Sequence, residues 1–170
     1  QPTDWWNGTS GQALIKAVNG GPTVKNLGNW LATNFKNLFG ADAGSSNDLT
    51  GKTNPQVATY IQSLYSNTGR KAEVGVLALA LAVYVTNSNL AGSTGTSYGF
   101  AVSSGGLGSA TTSVGVSGAA FGVNNNTVMT INELLSRTNA RARKGLIWDA
   151  DNNGVLSSAE LIARYQAIVL

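Results

Sequence analysis

Apolar residues in the first half of this chain recur at helical spacing. Trp5 and Trp6 lead into a first helix capped by Thr9 or Ser10, with Ala13, Leu14, Ala17 and Val18 on its apolar face. Asn19-Gly20-Gly21-Pro22 ends it. A second helix is predicted from about residue 23, with Leu27, Trp30, Leu31, Phe35, Leu38 and Phe39 on one side and Gly40 as its stop. Residues 41–52 read as a polar loop. Asn54-Pro55 offers an N-cap and a first-turn proline for a third helix carrying Val57, Tyr60, Ile61, Leu64 and Tyr65. Residues 71–86 form a fourth helix, apolar nearly all round, which places it at the centre of the molecule.

Past Gly92 the period changes. Tyr98, Phe100 and Val102 alternate with small residues, Gly105-Gly106 punctuates, and Thr112, Val114 and Val116 alternate again. This pattern predicts a small antiparallel β unit within 97–123, with strands at 98–103 and 111–116. Thr130-Ile131-Asn132-Glu133 has the form of a capping box and opens a short helix to about residue 142. The expected fold is mainly α (α+β), a single domain over 1–170. It comprises a helical part at about 5–92, the β unit at about 97–123, and a calcium-loop and helical part at about 130–170.

The segment from Asp149 to Glu160 reads D-x-D-x-N-G-x-L-x-x-x-E. A calcium ion takes six to eight hard oxygen ligands at about 2.3–2.6 Å. Asp149, Asp151 and Asn153 fall at the first, third and fifth loop positions and offer side-chain oxygens. Gly154 allows the sharp turn, Val155 offers its backbone carbonyl, Ser157 acts directly or through water, and Glu160 closes the site with two oxygens. Leu156 is the inward apolar position. These twelve residues resemble an EF-hand or dockerin-type calcium loop. Gly145 and the β-prone Leu146-Ile147-Trp148 precede the loop, so a regular entering helix is not expected. The exit helix is signalled by a second capping box, Ser157 with Glu160, followed by Leu161, Ile162, Tyr165, Ile168 and Val169. Sensor EF-hands work in pairs that open a Met-rich groove, whereas this chain has one loop and one Met. A lone loop suits a structural clip in a calcium-rich medium.

Composition narrows the chemistry. There is no Cys and no His, which excludes thiol catalysis, His-based triads, disulfides and the usual zinc sites. Charged residues make up 11% of the chain, well below the usual ~25%, and Gly, Ser, Thr and Asn take their place. Three of the eight acids lie in the loop. The others, Asp4, Asp42, Asp48, Glu73 and Glu133, are scattered, so no carboxylate pair for acid–base catalysis stands out. Gly51-Lys52-Thr53 lacks the upstream glycine of a phosphate loop. The net charge of +3 is too weak to argue for nucleic acid. Arg137, Arg141, Arg143 and Lys144 fit a helix C-terminus, where cations favour the dipole. The apolar run at 74–85 is shorter than the ~20 residues a membrane-spanning helix needs. Asn7 and Asn125 head sequons, so a glycan is conceivable. The chain opens Gln1-Pro2-Thr3 without Met, as a processed chain would.

The stretches Gly11-Gln12-Ala13-Leu14-Ile15, Leu27-Gly28-Asn29-Trp30-Leu31-Ala32 and Leu79-Ala80-Leu81-Ala82-Val83-Tyr84-Val85-Thr86 are similar to uncharacterised domains of large secreted bacterial surface proteins. The resemblance implies an extracellular or cell-surface setting and brings no catalytic residues. The expected role is therefore not enzymatic. It is that of a structural protomer of a bacterial extracellular fibre or surface assembly, stabilised by one Ca²⁺ and joined head to tail with copies of itself. Either residues 1–6, as an N-terminal arm, or the β unit is the expected contact. The alternative is a monomeric calcium-dependent binding module for carbohydrate or for a dockerin-type protein partner.

Overall fold

The structure, a computed structural model, describes residues 1–149, 151, 153 and 155–162. The fold is mainly α, with two short antiparallel β ladders. One buried cluster runs from Trp6 to Trp148 and draws on every helix from the first turn onward.

The N-terminus is helical from the start. Helix α1 (Thr3–Asn7) meets α2 (Thr9–Ala17) at Gly8. Gly11 lets the two pack closely, because a Cβ there would collide with the Trp5 carbonyl. Trp6 is fully buried; Trp5 meets both Trp6 and Phe100 edge-on, Phe100 is tilted against Trp6, and the ring centroids lie 5.0–5.7 Å apart. The expectation that residues 1–6 form an arm for a neighbouring molecule is therefore corrected: both tryptophans complete this chain's own core.

The predicted second helix is broken at Phe35 (φ −128°, ψ 56°) into α3 (Asn26–Asn34) and α4 (Lys36–Phe39). The break lets Phe35 and Phe39 both turn inward, 6.0 Å apart. The loop at 41–52 is not wholly polar, since Ala43 and Leu49 are buried. Helix α5 (Asn54–Ser66) is capped by Thr53 rather than Asn54: the Gln56 side chain accepts the Thr53 N–H at 2.9 Å. Asn54, fully buried, donates instead to the carbonyls of Val18 and Gly21 and ties α5 to the end of α2.

Helix α6 (Lys71–Thr86) is central, as its all-round apolarity predicts. It touches α1, α5 and α8 (Ile131–Ala140), and also α7 (Ser88–Ala91), which follows it. Leu77 and Leu81 are fully buried. No helix among the described residues is long and apolar enough to cross a membrane.

The small antiparallel β unit is present, with one strand where expected and the other elsewhere. Strand β1 (Thr111–Ser113) pairs antiparallel with β2 (Val128–Thr130), in the register Thr111 opposite Thr130 and Ser113 opposite Val128. The predicted strand at 98–103 is instead a 3₁₀ turn over Thr94–Tyr98 followed by irregular chain. Only Ser103 bridges, to Asn87. Residues 115–121, Gly-rich and small, wind into 3₁₀ turns, which leaves Val114 buried and Val116 in solvent. Strands β3 (Ala142–Arg143) and β4 (Leu146–Ile147) form a second hairpin. Its turn residues Lys144 and Gly145 both have positive φ (47° and 78°), as a two-residue hairpin turn requires.

Two phenols report on the core. Burial pushes Tyr60 up to about 12 from 10.0, and burial does the same to Tyr84. The Tyr84 hydroxyl donates to Asn19 Oδ1 at 2.7 Å. A folded-state value above the unfolded one means stability that is full below pH 10 and lost as pH rises toward 12. The melting temperature is expected to fall across that window, and the double variant Tyr60→Phe/Tyr84→Phe to show a shallower fall. Equal slopes in thermal melts from pH 9 to 12 would refute the assignment.

Candidate metal centre

The chain enters the loop from the β3–β4 hairpin, not from a helix. Trp148 lies in the left-handed region (φ 65°), a costly conformation for a bulky residue. Its indole is buried against Phe121, ring centroids 6.1 Å apart and near perpendicular, and the Trp148 backbone N–H donates to the Arg141 carbonyl at 3.2 Å. Packing thus holds the turn that delivers Asp149.

One carboxylate oxygen from each of Asp149, Asp151 and Glu160 lies within 4.8 Å of the other two. Asp149 and Glu160 are buried, and Asp151 is exposed. Oxygens that share one calcium ion at about 2.3–2.6 Å stand at most about 5 Å apart, so the three fit a single hard cation. Three carboxylates this close repel one another, and bound positive charge relieves the repulsion. Among the described residues no other set of three acids comes together.

Hydrogen bonds preshape the loop. The Asn153 N–H donates to Asp149 Oδ1 and Asp151 Oδ1, each at 3.1 Å, and Asn153 Nδ2 donates to Asp151 Oδ2 at 2.6 Å. Asn153 Oδ1 in turn accepts the Val155 N–H at 2.7 Å. These are turns in which a side-chain oxygen mimics a backbone carbonyl. They align carboxylates that would otherwise swing apart. Val155 joins through its amide, with its side chain in solvent. The predicted capping box is present: Ser157 N–H donates to Glu160 Oε2 at 2.7 Å and Glu160 N–H to Ser157 Oγ at 3.3 Å. Asp151 N–H lies 3.4 Å from Glu160 Oε1, which links the two ends of the loop. Residues 158–162 are helical. Gly154, Tyr165, Ile168 and Val169 lie outside the described residues.

The other candidates are dispersed. Asp48 accepts both the N–H and the hydroxyl of Thr50, which holds its carboxyl below the usual range. Glu133 closes the capping box of α8 on Thr130, and those bonds likewise lower its carboxyl. Arg143 donates to the carbonyls of Ala140 and Ala142 at the end of α8, so this cation serves the helix terminus. Asn125 is exposed, whereas Asn7 is half-buried in α1.

A polar group beneath the hairpin carries no sequence motif. Glu73 is fully buried, and its Oε1 accepts the Ile147 N–H at 3.0 Å. Arg70 Nε stands 3.5 Å from Glu73 Oε2, and Arg70 Nη2 donates to the Gly145 carbonyl at 2.6 Å. Asn47 Oδ1 accepts from the Tyr60 hydroxyl at 2.9 Å and lies 3.5 Å from the same guanidinium. The available signal was Glu73 as the one acid in an apolar helix, with Arg70 three residues before it.

No family model, curated protein or solved structure matches this chain.

Proposed function

We propose that this chain is a structural protomer of a bacterial extracellular fibre or surface assembly, clipped by one Ca²⁺ at Asp149, Asp151, Asn153, Val155, Ser157 and Glu160. The observation that carries the reading is the absence of any charged residue between Glu73 and Glu133. That stretch contains the whole β1–β2 ribbon, together with Val116 and Val128, exposed at 83% and 64%. Charged side chains at sheet edges are what normally stops strands of different molecules from pairing. A surface built without them is suited to contact with copies of itself, and heterologous contacts of this kind extend into open polymers.

The metal assignment rests on donor chemistry. All the offered ligands are hard oxygens, as calcium prefers, and extracellular calcium sites bind at about 10⁻⁴–10⁻³ M. The chain has no His or Cys, and among the described residues three acids come together only in the loop. Carbohydrate binding depends on aromatic faces open to solvent, and no aromatic side chain among the described residues is exposed. This favours assembly over a carbohydrate-binding module.

The test is electron microscopy and sedimentation of the purified protein with calcium. Filaments or large assemblies are expected, and Val116→Lys/Val128→Lys is expected to yield soluble protomers with an unchanged melting temperature. A wild-type protein strictly monomeric at high concentration with calcium would overturn the proposal in favour of the binding module.

A further inference from the structure

We infer that Arg70 and Glu73 are positioning residues for the metal loop, replacing the entering helix that an EF-hand would use. This rests on the calcium reading of the Asp149–Glu160 cluster. In a helix–loop–helix site the first ligand is aimed by a rigid helix before it. Here the segment before Asp149 is a hairpin with only two residues in each strand. A ribbon of that length is marginal on its own. Something else must fix it.

The fixing groups come from the helical core. The turn is gripped at both polar atoms of Gly145. Its N–H donates to the Asn37 carbonyl at 2.8 Å, and its carbonyl accepts from Arg70 Nη2 at 2.6 Å. Asn37 is itself held by Asn139, whose Oδ1 accepts the Asn37 N–H at 3.0 Å and whose carbonyl accepts from Asn37 Nδ2 at 2.9 Å. Glu73 then takes the Ile147 N–H, two residues before the first ligand. A carboxylate acceptor and a guanidinium donor make charge-assisted bonds, stronger than amide pairs. Because Glu73 is fully buried, these bonds are shielded from water. Arg70 and Glu73 flank the first turn of α6, the most buried helix, so the hairpin inherits the rigidity of the core. Trp148 completes the path: its left-handed backbone reverses the chain and aims Asp149 at the other two carboxylates. Outer groups that orient metal ligands commonly contribute about 10–100-fold to affinity.

The experiment is calorimetric titration of the full chain with calcium chloride, well below the melting temperature of each variant, alongside melting in chelator. Glu73→Gln removes the charged acceptor. Arg70→Lys keeps the charge beside Glu73 but loses the reach to Gly145, and so guards against a Glu73 variant that fails to fold. Calcium binding is expected to weaken about 10-fold or more in either folded variant. Glu133→Gln, which removes an equal charge from the start of α8, is expected to leave affinity unchanged. A purely structural role would lower the chelated melting temperature but not the affinity of the folded protein. Affinities within about twofold of wild type in the folded variants, or equal losses in Glu133→Gln, would overturn the inference while leaving the calcium reading intact. A wild type that binds no calcium would overturn both.

Discussion

Chelating calcium is expected to lower the melting temperature of this protein by roughly 3–11 °C relative to about 10 mM calcium. An extracellular-type affinity of about 10⁻⁴–10⁻³ M puts that concentration about 10–100-fold above the dissociation constant. An ion that binds only the folded chain then stabilises it by about 1.4–2.7 kcal/mol. For a chain of this length each kcal/mol moves the midpoint by about 2–4 °C. Asp149→Ala and Glu160→Gln are expected to abolish the response to calcium. Asp149 is the sharper test because it is fully buried and its oxygen lies in the three-carboxylate cluster. The diagnostic quantity is the difference between melts with and without calcium in each variant, since removing one of three crowded carboxylates also relieves repulsion in the metal-free protein. Identical wild-type curves with calcium and with chelator would sink the metal assignment.

Leu81→Asp is expected to leave no cooperative folded state at 25 °C. Leu81 is fully buried in the middle of α6, among residues from helices on several sides. Truncation to Ala at such a site costs about 2–5 kcal/mol from lost transfer energy and the cavity left behind. A carboxylate adds the cost of a buried polar group without a partner, and the sum approaches or exceeds the roughly 5–15 kcal/mol that a whole domain has in hand. Val116→Asp, at a position 83% exposed, is the matched control and is expected to melt within a few degrees of wild type. The measurement is far-UV circular dichroism with a thermal melt. A cooperative Leu81→Asp transition near the wild-type midpoint would mean that α6 is not the centre of the core.

Much of the helical architecture was legible in the sequence because it is set locally. The uniform apolarity of 71–86 can be satisfied only by burial on all sides. The Thr130/Glu133 and Ser157/Glu160 boxes satisfy orphan amides within one turn, so they need no distant partner. The loop acids are likewise ordered by near neighbours: Asn153 reaches Asp149 and Asp151 from within the same five residues. Four-residue spacing suffices to bring them together, and Glu160 is carried back by its own helix start.

Other features depended on contacts across the chain. The break at Phe35 follows from two phenylalanines needing the same core, which no local propensity signals. The strand partner of Thr111–Ser113 is Val128–Thr130 and not 98–103, because pairing depends on where the intervening chain can turn, and small residues leave register weakly specified. The fate of Trp5 and Trp6 was decided by Gly11 and Phe100, which open a place for them inside the chain's own core. What sequence alone determined was the gathering of Asp149, Asp151 and Glu160 and the central helix, both products of short-range spacing. What tertiary structure decided was how the hairpin before Asp149 is held: Arg70 and Glu73 reach Gly145 and Ile147 across more than seventy residues. A buried ion pair acquires that role only when folding removes the water that would otherwise compete for its hydrogen bonds.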